Sequence, residues 1–216
     1  MEQFVVVKEN WLTRDPTPGA MTLTVFMVML LVLSNVLFLS GAFHLDNGMA
    51  ASKDSIFNQH QYWRAWTALI AHRDWGHLLS NLFLFAPFCY YLYGYFGPWY
   101  FPVTGFVIGG LTNITVVNSM PAQVSLVGVS GVVYWMGAAW LTLYLLIERR
   151  ESIRRRLFKV FIISAVLFLP ETYRPEISYY SHFLGFAAGV VSSLVHFAIN
   201  RKKILAAVVT ETIFEV

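Results

Sequence analysis

No Asp, Glu, Lys or Arg occurs from residue 75 to residue 147. A charge-free stretch of that length suffices for three bilayer crossings at about 20 residues each. In water it would carry more apolar surface than one core of a chain this size can bury. The rest of the 216 residues agree, since 57% are hydrophobic and 12% charged, where a soluble domain carries about 25% charged residues. Lipid is therefore the expected solvent for most of the chain.

Turn-rich breaks at 94–98 and 118–121 divide the stretch into three spans. Apolar runs at 21–41, 157–169 and 177–200 bring the count to six. The first run is long for a signal peptide and lacks a small-x-small cleavage site, so it reads as a retained span. Arg149, Arg150, Arg154, Arg155, Arg156 and Lys159 follow span four, and Arg201, Lys202 and Lys203 follow span six. With six spans these clusters share one side with Lys8 and Arg14, as the cytoplasmic enrichment of basic residues requires. Only Lys53, Arg64, Arg73 and Arg174 fall elsewhere.

The expected fold is thus an all-α membrane protein, a six-helix bundle with both termini cytoplasmic. It divides into a short N-terminal segment (1–20), a six-span domain (21–200) and a C-terminal tail (201–216), leaving no length for a further soluble domain. Residues 42–76 form a long external loop, and loops of that length usually have structure of their own. Tyr62, Trp63, Trp66 and Trp75 suit the outer interface, either as functional anchors or only as an aromatic belt.

The basic residues lie in short clusters, not one stripe, which argues against nucleic acid as a partner. Cys89 is the only cysteine, so neither an internal disulfide nor a cysteine metal cluster can form. No His-Glu-x-x-His occurs, which excludes that class of intramembrane metalloprotease. Neither a metal nor a cofactor is expected.

Strongly polar groups within spans are costly and therefore candidates for function. Four stand out: His77, Asn81, Ser130 and His182. Ser130 precedes Arg149 by 19 residues and His182 precedes Arg201 by 19, which puts both about 28 Å above the inner surface. His77 and Asn81 bracket the same level on span two and share one helical face. Ser130 lies in Gly128-Val129-Ser130-Gly131, where the glycines permit a tight turn and close backbone approach. The motif alone is a weak signal, because glycine and serine are common at helix contacts in membranes.

Gly185 and Gly189 sit below His182 and let a neighbouring backbone approach. Span four, with Gly131, Gly137 and Ala138, is the expected partner. Such packing would bring His182 within reach of the Ser130 hydroxyl, the arrangement by which imidazole activates a nucleophile. No acid occurs at that depth, so a dyad is expected. Tyr134, one turn below Ser130, either supports the imidazole or is an ordinary buried aromatic. His196 and Cys89 read as packing residues, His44 and His60 as loop residues. His72 either supports the site or lies at the surface.

Four motifs in order make this pattern resemble the rhomboid intramembrane serine proteases: Trp63-Arg64, His77-x-x-x-Asn81, Gly128-Val129-Ser130-Gly131 and His182-x-x-Gly185-x-x-x-Gly189. The resemblance runs from Trp63 to about Asn200. It implies a nucleophilic Ser130, a general base His182, and an oxyanion site made by His77, Asn81 and the Ser130 N–H, with Tyr134 supporting the histidine. It further implies a cap at 171–180 and a substrate route beside span five. Two departures bear on the subfamily: no acid occurs at 93–97, and Ala68 stands where some members have histidine. The expected partners are transmembrane protein substrates and the lipid bilayer, and the expected location is a bacterial inner membrane. Competing readings are a client-binding relative without catalysis, a proton-relay transporter, and a specialised rhombosortase-like enzyme.

Overall fold

The computed structural model describes residues 2–168 and 178–215. Six long helices follow one another: α1 (Ala20–Leu39), α2 (Trp75–Phe96), α3 (Gly105–Ser119), α4 (Ser130–Ile147), α5 (Ile153–Phe168) and α6 (Tyr179–Leu205). Among the described residues, four segments are long and apolar enough to cross a membrane: α1, α3 with the irregular turns that precede it, α4 and α6. The two others fall outside that set. α5 has 16 residues within the described part of the chain, and α2 carries His77, Ser80 and Asn81 in its first two turns. Residue 169 of the expected fifth span and residues 171–177 of the expected cap lie outside the described residues.

Helix boundaries follow local chemistry. α1 begins after Gly19, whose φ of 92° is left-handed, and α2 is capped by Asp74, whose side chain accepts the His77 N–H at 2.8 Å. Gly97, at φ 79°, ends α2. α6 starts on Ser178, whose hydroxyl accepts from the Ser181 N–H. It runs on to Leu205, past the expected end of span six.

α4 is the axis of the bundle. Trp135, Met136, Ala139 and Leu143 are wholly buried. α6 packs along it in parallel, backbone against backbone. A Cβ on Gly185 would stand 2.1 Å from the Gly131 carbonyl oxygen, and one on Gly189 would stand 2.4 Å from that of Trp135. One turn further, the Ser193 hydroxyl donates to the Ala139 carbonyl at 3.2 Å. All three pairs keep one separation in sequence, 54 residues, and on the α6 side each contact is made by a small residue, Gly185, Gly189 or Ser193.

The segment between α1 and α2 is packed rather than open. Its strand β2 (Ala51–Ser52) pairs antiparallel with β3 (Ser125–Leu126), in the loop that leads to Ser130. Ala51, Ile56, Ala65 and Ala68 form a second apolar cluster with Val116, Val117 and Leu126. Trp66 fills the notch at Gly110 and donates from its indole to the Phe106 carbonyl. That makes it a wedge between loop and α3, a packing role the sequence does not announce. Asn113 ties the same pair by donating to the Ala65 carbonyl at 2.8 Å.

The sequence reading assigned no structure to either end of the chain. Here Glu2–Glu9 (β1) and Val209–Glu215 (β4) pair antiparallel, joined by a Lys8–Glu211 ion pair. At the same end, Asn10 donates to buried Glu148, which also receives Arg150. Burial acts to raise the Glu148 carboxyl, but the Arg150 and Asn10 hydrogen bonds outweigh it and hold the group below its ordinary value near 4.5.

Candidate active site

Ser130 is the first residue of α4, and the first N–H groups of a helix have no partner inside it. The approach to it is fixed on three sides. Gly128 donates its N–H to the Ala68 carbonyl at 2.9 Å. The Val129 N–H donates to His72 Nε2 at 3.3 Å. Gly128 itself, at φ 120°, lies flat on His77: a Cβ there would stand 2.7 Å from the ring. Both the left-handed backbone and the imidazole exclude any larger residue at this point.

His182 is buried in the first turn of α6. Its ring stacks on Tyr134 at 4.0 Å with 13° between the planes, and Tyr179 meets it edge-on at 6.2 Å. Tyr134 is one turn along α4 from Ser130, and Gly185, one turn along α6 from His182, touches Gly131. The imidazole is thus brought to the serine's end of α4 by the small-residue seam below and the stacked tyrosine beside it. Its Nδ1 is buried with no hydrogen-bond partner among the described residues, and among them it is the stacking on Tyr134 that orients this ring.

From α2, His77 lies against Gly128, and Asn81 follows it one turn along the helix. Asn81 is buried and donates one amide hydrogen to the His77 carbonyl at 3.0 Å, which leaves the second hydrogen for another acceptor. Trp63 and Arg64 lie in the packed loop. Trp63 is exposed, and Arg64 donates to the Ala50 carbonyl, bracing the loop internally.

The structure decides one residue that the sequence leaves open, His72, and adds another, Asn35. His72 is fully buried, which corrects the surface alternative, and its ring lies 5.1 Å edge-on from His77. Burial first, and the nearby His77 second, push it down to about 3, with Asp74 acting in the opposite direction. A neutral ring is what the contact needs, because only an unprotonated Nε2 can accept the Val129 N–H. Asn35 of α1 is buried too and accepts the His72 N–H at 2.8 Å. The signal for Asn35 was present in the sequence as a lone amide in an apolar run. For His72 nothing beyond its closeness to His77 marked it.

A family model for the rhomboid domain matches residues 59–199. The chain belongs to the rhomboid family. A search among curated proteins finds no match. The matched stretch of this rhomboid begins inside the packed loop, before Trp63, and ends near the last turns of α6. It therefore includes the residues described around Ser130 other than Asn35 and Ala50. Rhomboids are intramembrane serine proteases, and the apolar helices make this one an integral membrane protein.

Proposed function

We propose that this rhomboid is a six-span serine endopeptidase that cuts transmembrane segments of other proteins through a Ser130–His182 dyad. The observation that carries the reading is the stacking of His182 on Tyr134, one turn from Ser130, above the Gly131–Gly185 contact. His182 takes the hydroxyl proton as Ser130 Oγ attacks the scissile carbonyl. The oxyanion that forms receives hydrogen bonds from the Ser130 N–H, the free Asn81 amide hydrogen and His77. His182 then returns the proton to the leaving amine, and a water repeats the sequence to release the acyl group from Ser130.

The same reading gives the topology. Ser130 and the packed 42–76 loop lie toward the outside, and the basic clusters and both termini inside, as in a bacterial inner membrane. A substrate helix enters beside α5 and must unwind to present a carbonyl, so segments with Gly or Pro near their external end are preferred. The test is labelling with a serine-directed phosphonate, together with cleavage of a transmembrane substrate in detergent. Ser130→Ala is expected to lose both, and His77→Ala and Asn81→Ala are each expected to slow turnover by about 10²–10³-fold. A folded wild type that neither labels nor cleaves would favour a client-binding role without catalysis.

A further inference from the structure

A cavity of about 370 Å³ lies at the end of the bundle opposite Ser130. Three elements wall it: the segment before α1 with Trp11, Arg14, Asp15 and Thr17, the end of α2 from Gly94 to Gly97, and the inner turns of α6 with His196, Asn200 and Lys203. The walls are fastened together. Trp11 donates its indole N–H to the Tyr95 carbonyl at 2.9 Å, and Thr17 donates to the Gly94 carbonyl with its hydroxyl at 2.9 Å.

Two cations converge on one ring in this cavity. The Arg14 guanidinium lies 4.4 Å, and the Lys203 ammonium 5.3 Å, from the Trp11 ring centre. Neither makes an ion pair among the described residues. Asp15 is the one carboxylate in the lining. Both cations are exposed, and with Asp15 as the one carboxylate beside them the mouth of the cavity is net positive and favours an anion. The flank of α6 indicates where that anion comes from. Val191, Val195 and Ile199, spaced four apart, are exposed at 60%, 53% and 76%, and their apolar stripe ends at the cavity where Asn200 and Lys203 line it. A phosphate held between Arg14 and Lys203 would have its acyl chains on that stripe.

We propose that this cavity binds a phosphate group, and that its source is the head group of an anionic phospholipid in the leaflet opposite Ser130. Basic pockets between transmembrane helices hold lipid head groups in this way. The site needs nothing from the serine chemistry.

Native mass spectrometry of the whole delipidated protein tests it, with phosphatidylglycerol, phosphatidylcholine and inorganic phosphate offered separately. Phosphatidylglycerol should be retained in preference to phosphatidylcholine. Arg14→Gln with Lys203→Gln should weaken it by about 30-fold, the effect of two cations at a membrane surface. Asp15→Asn should strengthen it about fivefold, and this single variant decides the matter if the double variant does not fold. Inorganic phosphate binding that the double variant loses would support the site with a soluble source. Absence of retention, or retention unchanged in the double variant and in Asp15→Asn, would overturn the proposal.

Discussion

α4 and α1 are both long apolar helices, yet the bundle uses them differently. Over an 18-residue stretch 61% of α4 is buried, against 17% of α1. α4 meets α6 through Gly131, Trp135 and Ala139, where single atoms decide the fit. α1 presents Met21, Val25, Phe26, Met29 and Leu33 outward and keeps only Ala20, Thr24, Leu31, Ser34 and Asn35 inside. In lipid no hydrophobic force drives one helix onto another, so α4 is selected for shape and α1 mainly for being apolar. Hydropathy detects both helices and cannot tell these demands apart.

The largest expected effect comes from breaking the shape of the α4–α6 seam. Gly185→Val places a methyl-bearing carbon where the Gly131 carbonyl oxygen already stands. Overpacking costs typically about 1–3 kcal/mol and more against backbone, so the helices should part. Thermal unfolding should drop steeply and phosphonate labelling of Ser130 should disappear. An unchanged melting temperature would show that the seam yields, and the contrast with α1 would fail.

Next comes the loop that aims the serine. His72→Leu keeps the volume near the Val129 N–H but removes its acceptor, and an unsatisfied buried donor costs about 1–3 kcal/mol. Labelling should slow by roughly 10–100-fold at about 1.4 kcal/mol per decade, with less loss of melting temperature than for Gly185→Val. His72→Gln, which offers an amide oxygen to the same N–H, should recover part of the rate. Equal rates for Leu and Gln would reduce His72 to filling space.

A smaller effect concerns the Glu148 cluster. Its carboxyl titrates lower in the folded chain than in the unfolded one, so the folded state binds that proton less readily. The stabilisation is present above the ordinary carboxylate value near 4.5. It is lost as pH falls through the lower folded value. Melting temperature followed from pH 7 downward should fall in that range. Glu148→Gln should remove this part of the acid dependence while lowering stability at neutral pH. The least effect is expected on the lipid face: Phe26→Leu in α1 should leave melting and labelling within about 0.5 kcal/mol of wild type.

The helices were legible because each apolar run had to close its own hydrogen bonds in lipid. The breaks at Gly97 and after Ser119 stand where turn residues placed them. The meeting of Gly131 with Gly185 was also readable, since few other residues permit such closeness. Equal distances to the basic clusters put Ser130 level with His182, and the seam contacts, Gly185 on the Gly131 carbonyl and Gly131 on Ser181, have separations of 54 and 50 that straddle the 52 between that pair. Counting from exposed charges measures depth, and only interlocking carbonyls and glycines set register. The wedge made by Trp66 was not legible, because a tryptophan in a long loop suits an interface and a wedge equally. His72 was legible only as one of two alternatives, because its acceptor role exists only once the loop before Ser130 has folded back on it.

The pairing of β1 with β4 bears on the order in which the molecule is made. Nearly the whole chain separates Glu2 from its partner Glu215. At a synthesis rate of about 5–20 residues per second, the first strand waits roughly 10–40 s before the second leaves the ribosome. Until then Phe4, Val5, Val6 and Val7 lack the strand they pair with, and an apolar segment without its partner is a surface on which chains stick to one another. Through that interval this strand is a natural customer for a chaperone, and a bulky fusion ahead of it would obstruct the final closure.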